Sequence, residues 1–361
     1  MKILQVIPSL QVAGAEIMCE NLCYELTTSH HEILVVSLYN THSPITDRML
    51  KNDIDLRFLD KKRGFDFSCA KKLRKIVKEF NPDVIHTHLY SLKYAVLARN
   101  KVPIVHTMHS IASKETTKFQ QLINKRFYKK RIVLPVALSE ENKRTFNETY
   151  RIANLDIPIV LNGVNLSKCI AKEDYRVEGT YHILHIGRFA EAKNHIELLK
   201  AIRILKNDGI DIHLSLIGEG ELKRTVLEFI SNNDLEQEVS LLGIKENVYP
   251  YLHDADIFVL PSLFEGVPMT IIEAMGTGLP IVASNVGGIP NLIDDRKEGL
   301  LCNPEGNSIA SSIEEFIKNE ELRENCGKGA KKKSTFFSSR AMCDSYIKVY
   351  KEALYRNGKH Q

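Results

Sequence analysis

Two α/β domains, each a doubly wound parallel sheet, are predicted by three features of this sequence. Short apolar strand-like runs alternate with helical periodicity almost from end to end, the pattern of parallel strands joined by helical crossovers. Several of the runs are apolar on both parities, as expected of strands covered on both faces. The chain has 361 residues, beyond the size at which a single core usually stops growing.

The first half supplies the strands "KILQVI", "EILVVSL", "PDVIHTH", "VPIVHT", "RIVLPVAL" and "IPIVLNG". The opening run is too short in its apolar part for a signal peptide and reads as a first strand. "KKLRKIVKEF" sets Leu73, Ile76, Val77 and Phe80 at helical spacing under a basic outer face. The polar segment 167–180 breaks both periodicities and is expected to join two domains, at 1–166 and 175–340. Beyond it come the strands "YHILHIG", "IHLSLIG", "EVSLLG", "ADIFVLP", "PIVAS" and "EGLLC". "NHIELLKAIRILK" reads as a helix that Asn194 and Glu197 start and that Ile196, Leu199, Ile202 and Leu205 bury. The last segment, 341–361, is helical, with Met342, Tyr346, Val349, Tyr350 and Leu354 along one side, and is expected to pack back toward the first domain.

Composition is that of an ordinary soluble protein, and no apolar run reaches the roughly 18 residues that span a bilayer. A cytoplasmic location is expected, and the seven scattered cysteines read as reduced thiols. The net charge of +4 hides an asymmetry: the first 166 residues carry 25 Lys and Arg against 16 Asp and Glu, the remainder 24 against 29. The basic half is therefore where phosphate or an anionic membrane is expected. So small an excess of cations, with no binding motif, argues against nucleic acid as a partner.

Five stretches hold residues that could do chemistry. In "FEGVPMTIIEAMGTGLP", Glu265 and Glu273 stand in an almost uncharged, apolar segment. Pro268 separates them, putting Glu265 on a loop and Glu273 on a helix whose amino end can welcome an anion. Taken alone, the stripe Thr270, Glu273 and Thr277 reads as a solvent face, but so apolar a helix gives its carboxylate a need for a partner. In "LHIGRFAEAKN", Arg188 and Lys193 flank a strand-to-helix turn, where two cations could neutralise a diphosphate or simply face water. "AGAE" puts Gly14 at the turn after the first strand, open to close approach of a phosphate, without completing a dinucleotide fingerprint. His86, His88, His106 and His109 sit near two strand ends, and nothing nearby in sequence completes a zinc site. His86 and His106 read as core, His88 and His109 as candidates for touching substrate. "NKRFYKKR" (124–131) gathers cations around two aromatics, either a solvated helix face or an anionic-lipid contact.

Together these stretches resemble the family 4 retaining glycosyltransferases of the GT-B fold, of the bacterial surface-polysaccharide type. The resemblance rests on two glutamates with seven residues between them, Glu265 and Glu273, followed by "AMGTGLPIVASNVGGIPNLI", with Gly187-Arg188, Lys193, "AGAE", "THLY", "HTMHS" and "LNGVN". It implies an acceptor-binding first domain and a nucleotide-sugar-binding second domain. Glu273 would then hold the ribose hydroxyls, and Glu265 the donor-sugar hydroxyls. Gly243, Gly266, Val267, Pro268, Met269 and Thr270 would complete the donor pocket. Arg188 and Lys193 would bind the diphosphate and stabilise the leaving charge, and Gly14 would let the first domain approach it. His109 and His88 would lie on the acceptor side, His109 nearest the reaction. The catalytic set it implies is His109, Arg188, Lys193 and Glu265.

The resemblance implies transfer of a hexose or N-acetylhexosamine from a nucleotide sugar, UDP favoured, to a saccharide hydroxyl. The acceptor it favours is lipid-linked, met at the inner face of the plasma membrane, and no metal or cofactor is expected beyond the nucleotide sugar. Two departures stand out: Ala13 where the family often has glycine, and Asn165 where it commonly has aspartate. Two other classes compete, a nucleotide-sugar epimerase or hydrolase of the same architecture and a non-catalytic carbohydrate-binding subunit.

Overall fold

The computed structural model describes residues 1–109, 117–153 and 155–358. It divides into two compact units, one comprising Met1–Gly163 with the C-terminal stretch from Ser339, the other Val164–Ser338. The first unit holds a six-stranded parallel sheet in the order β3-β2-β1-β4-β5-β6. Its strands are β1 (Lys2–Ile7), β2 (Glu32–Ser37), β3 (Asp55–Phe58), β4 (Val84–His88), β5 (Ile104–Thr107) and β6 (Val133–Val136). β1 and β4 are buried on both faces, which is why their sequences are apolar or hydrogen-bonding at every position. On one face Leu4, Val6, Leu34, Val36 and Ile85 pack with Leu73, Ile76 and Val77 of helix Phe67–Phe80. On the other, helix Ser339–Gly358 lies against β4, β5 and helix Gly14–Thr28, burying Met342, Tyr346, Val349 and Tyr350.

The second unit repeats the plan, with strand order β12-β11-β10-β7-β8-β9. Its strands are β7 (Tyr181–Ile186), β8 (Ile212–Ile217), β9 (Val239–Gly243), β10 (Ile257–Leu260), β11 (Ile281–Ser284) and β12 (Leu300–Cys302). Leu198, Leu199, Ile202 and Leu205 of helix His195–Asn207 are fully buried in its core, with Ile196 at the margin.

In both sheets the first strand of the unit lies in the middle, and the chain winds outward on one side before crossing to the other. That order puts a switch point between β1 and β4 and another between β7 and β10, where loops diverge and leave a crevice at the carboxyl ends.

Three sequence expectations need correction. "IPIVLNG" forms no strand. It makes one isolated bridge, Ala137 to Ile159, because Pro158 has no N–H to give a ladder. The short, half-exposed edge strand β3 was not foreseen. Asn194 does not cap its helix with its side chain. It sits in the left-handed region at φ 56°, and its amide donates to the carbonyls of Pro261 and Pro304. Glu197 instead accepts from the Gly306 N–H and from Lys200.

The polar segment expected as a linker begins inside the second unit, where Tyr175 is buried and its carbonyl accepts from the buried Arg323 guanidinium. Among the described residues no helix is long and apolar enough to cross a membrane.

Candidate functional site

In the second unit, the loops after β7 and β10 meet at the switch point. Lys193 ends a short 3-10 turn after β7, and Glu265 lies in the loop that follows β10. The Leu263 N–H donates to the Ala192 carbonyl and ties the two loops together. Lys193 Nζ lies 2.5 Å from Glu265 Oε1, and the same oxygen accepts from Ser262 Oγ at 2.7 Å. Both side chains of the ion pair are mostly shielded from solvent, at 21% and 11% exposed. Glu265 Oε2 has no partner among the described residues, so it can accept from a ligand hydroxyl. A third loop holds this arrangement in place. Gly287, at φ +55°, and Gly288 press against the carbonyls of Glu265 and Gly266, where a Cβ would come within 2.0 Å of either oxygen.

Arg188 stands on the loop after β7, 73% exposed and paired with the exposed Glu221 at 3.0 Å. Exposed pairs of this kind contribute little, so the guanidinium is readily exchanged onto an anion. Its loop is fixed from below by Gly218, where a Cβ would meet the Gly187 carbonyl at 2.0 Å. The carbonyl of Gly243, at the end of β9, accepts from the Gly218 N–H.

Helix Met269–Thr277 begins at Pro268 with no side-chain cap, leaving its first N–H groups open to an anion. The Thr270 hydroxyl, buried beside them, has no hydrogen-bond partner among the described residues. Gly266 is exposed in the preceding loop, whereas Val267, Pro268 and Met269 are buried.

Glu273 does not face solvent. It is 8% exposed on a helix buried almost all round. Burial pushes its carboxyl up to about 7, and the Lys168 charge and the Tyr249 hydroxyl only partly offset this.

The first unit carries the histidines. Its remaining candidate, Gly14, opens helix Gly14–Thr28 in an exposed turn where an added Cβ would meet nothing within 4 Å. Packing within the unit therefore does not demand a glycine there.

His86, His88 and His106 are buried, while His109 is half-buried. His106 bonds Thr87 Oγ1 at 2.8 Å, and a continuous chain of hydrogen bonds fixes the protons of the other three. Gln5 Nε2 donates to the Tyr350 hydroxyl, so its Oε1 accepts from His88 Nε2. His88 Nδ1 then lacks a proton and accepts from His109 Nε2 at 2.9 Å. The Tyr350 hydroxyl donates onward to His86 Nδ1, and His86 Nε2 donates to Thr107 Oγ1, which lies 2.7 Å from the Tyr346 hydroxyl. Burial holds all these imidazoles well below their usual range, with His109 down to about 3, so they are neutral. Each can donate from one nitrogen only, and the chain gives His109 a single tautomer, protonated on Nε2. Among the described residues no group of three or more His, Cys, Asp or Glu is arranged to hold a metal ion.

Helix Lys118–Lys129 keeps Arg126 and Lys129 outside, but Tyr128 is buried against Phe146 and Tyr150. One of the two aromatics in that basic segment is therefore core.

Sequence reasoning found both glutamates and both cations. It missed Ser262, Lys168, Tyr249 and Gln5, and it read Tyr346 and Tyr350 as packing alone. The Gly287-Gly288 pair was the visible sign of a third loop closing on Glu265.

Residues 12–168 match the family model described as "Glycosyltransferase Family 4", and residues 170–333 match "Glycosyl transferases group 1". The chain is 30% identical to the Escherichia coli UDP-Gal:alpha-D-GlcNAc-diphosphoundecaprenol alpha-1,3-galactosyltransferase, over 70% of both chains. It is 28% identical to a Campylobacter jejuni protein, N-acetylgalactosamine-N,N'-diacetylbacillosaminyl-diphospho-undecaprenol 4-alpha-N-acetylgalactosaminyltransferase, over 79% of both. Among solved structures, Anabaena HepE in complex with UDP-glucose superimposes with a TM-score of 0.84 at 18% identity, covering 98% of this chain and 100% of that one. That likeness is one of fold, the GT-B class of two Rossmann-like sheets.

Two predictions follow from the geometry. A carboxyl held at about 7 when folded and near 4.5 when unfolded costs nothing below pH 4.5, where both states bind the proton. Its full penalty, about 3 kcal/mol, is present above pH 7. Glu273→Gln should raise the melting temperature at pH 8 and leave it unchanged at pH 4, as thermal denaturation would show. Tyr350→Phe should destabilise by about 1–3 kcal/mol through the unpaired Gln5 amide. It should also release His109 into a mixture of tautomers, read from the ring nitrogen shifts of ¹⁵N-histidine-labelled protein. An unchanged single tautomer would contradict the relay.

Proposed function

Because this chain belongs to the family 4 glycosyltransferases, we propose that it moves a hexose or N-acetylhexosamine, with retention, from a nucleoside diphosphate to a lipid-linked saccharide. UDP is the favoured nucleotide, and surface polysaccharide synthesis the favoured setting. The observation that carries this reading is the shielded Lys193–Glu265 pair at the β7/β10 switch point, with Glu265 Oε2 still open. The two curated relatives support the acceptor class, since each is named for a diphosphoundecaprenol-linked saccharide.

In the proposed reaction Arg188 and Lys193 bind the diphosphate, and the open amino end of helix Met269–Thr277 adds its N–H groups. Fixed positive charge at the leaving oxygen is what the transition state requires, because that oxygen becomes anionic as the anomeric C–O bond breaks. Glu265 orients the donor sugar by accepting from its hydroxyls, and Glu273 accepts from those of the ribose. The acceptor oxygen attacks from the face the phosphate leaves, and its proton passes to the departing phosphate oxygen. One C–O bond forms as another breaks, with retention and no carboxylate nucleophile, so the step asks for no metal ion. In this proposal His109 serves the acceptor, with His88 hydrogen-bonded behind it, and Gly14 serves the approach of a phosphate. A peripheral stay at the cytoplasmic face of a membrane fits this acceptor, and the outer cations of helix Lys118–Lys129 suit anionic headgroups.

The test is incubation with a panel of nucleotide sugars and lipid-linked acceptors, followed by mass spectrometry. The expected outcome is one acceptor gaining one sugar mass. Lys193→Ala and Arg188→Ala should each lower kcat/KM by about 100-fold or more. Donor loss with no acceptor gain would replace transfer by hydrolysis or epimerisation, and activity unaffected by both substitutions would remove the site assignment.

A further inference from the structure

A second cluster of cations lies at the carboxyl edge of the first sheet, outside the groups used above. Tyr39 follows β2, Lys61 follows β3, and Tyr90, Lys93 and Tyr94 follow β4. Lys61 is 8% exposed. Its ammonium donates to the Tyr39 hydroxyl at 3.0 Å and to the carbonyls of Lys62 and Gly64. Lys93 is half-buried, its Nζ 5.7 Å from the centre of the Phe65 ring and 5.5 Å from that of Tyr94. Lys61 lies over the same Tyr94 ring at 5.9 Å.

Neither ammonium forms an ion pair with a described residue. On the same loop Asp60, next to Lys61 in the chain, is exposed and forms no ion pair with a described residue, and Asp66 is committed to capping helix Phe67–Phe80. Its oxygens accept from the N–H groups of Lys62, Ser68 and Cys69. Lys61 is satisfied by its three acceptors, but Lys93 is held below its usual range by burial and by the Lys61 charge beside it, a cost that ring faces offset only in part. An anion completes such a site. Beside the cations, Phe65 is 45% exposed and Phe67 72%, an apolar edge next to a charged floor. A phosphate ester with a hydrocarbon chain has that same division.

We propose that Lys61, Lys93, Tyr39 and Tyr90 form a binding site for the phosphate groups of the acceptor, with Phe65 and Phe67 meeting its lipid part. This rests on the reading of the acceptor as lipid-linked. Lys61 supplies fixed charge, its donors being occupied, whereas Lys93 and the tyrosine hydroxyls contact the phosphate. Membrane headgroups carry the same phosphate chemistry, and the experiment separates the two sources.

The test uses two soluble acceptors with the same saccharide, one on a short prenyl diphosphate and one on a neutral octyl group. Lys93→Gln should raise KM for the diphosphate acceptor about tenfold, the size of one lost charge-assisted contact. It should leave KM for the octyl acceptor and for the nucleotide sugar unchanged. Equal effects on both acceptors, or none, would overturn the site. Loss of binding to phosphatidylglycerol vesicles without a change in the ratio of the two KM values would assign the cluster to headgroups and overturn the acceptor role. If the wild-type protein glycosylates neither acceptor, the proposed function fails. Titration with inorganic pyrophosphate then decides separately: binding that Lys93→Gln abolishes supports the phosphate site, and no binding overturns it.

Discussion

Everything functional in this protein depends on one constraint, that all strands of a sheet run the same way while the first strand of each unit sits in the middle. Parallel strands deliver every carboxyl end to one edge. A central first strand forces the chain to wind out on one side, return, and wind out on the other. At the seam the two loops cannot cover each other. In the second unit that seam lies between β7 and β10, and its loops carry Lys193 and Glu265. In the first it lies between β1 and β4, and it carries Gly14, His88 and, one strand on, His109.

Lys193 and Glu265 are held as a shielded pair. Removing one partner of such a pair leaves a stranded charge, so geometry and function are coupled at this point. Glu273 carries a cost of its own, since burial raises its carboxyl to about 7 even with Lys168 and Tyr249 offsetting part of it. The glycines at 287 and 288 are required by the carbonyls they touch, which makes the loop after β11 part of the same rigid frame. The first unit spends its polar groups differently. Its Gln5, His86, His88 and Tyr350 satisfy one another in a way that fixes where their protons sit.

Most of this frame was legible in the sequence, because strand and helix periodicity are local signals. The strands "KILQVI" and "YHILHIG" begin where the structure begins β1 and β7. Errors fell where local pattern and tertiary context part. "DLRF" is a half-exposed edge strand whose Asp55 and Arg57 break the apolar run that marks the others. "IPIVLNG" is apolar enough for a strand but carries Pro158. Asn194 looked like a helix cap, yet its amide is bound by two carbonyls more than 60 positions away. The candidate site followed the same rule. Glu265, Glu273, Arg188 and Lys193 stood out by type and spacing. Their supports did not, because the Gln5–Tyr350 bond joins residues 345 positions apart and only folding brings them together.

The central claim is that the nucleotide sugar binds at the β7/β10 seam of the second unit. Amide hydrogen exchange on the wild-type protein, with and without a saturating UDP-sugar, tests it most directly. The account predicts slowed exchange in residues 187–194 and 262–273, with β8 and its following helix Lys223–Asn232 unchanged. Unaltered exchange in both loops while the ligand is demonstrably bound, or protection confined to segments away from that seam, would contradict it.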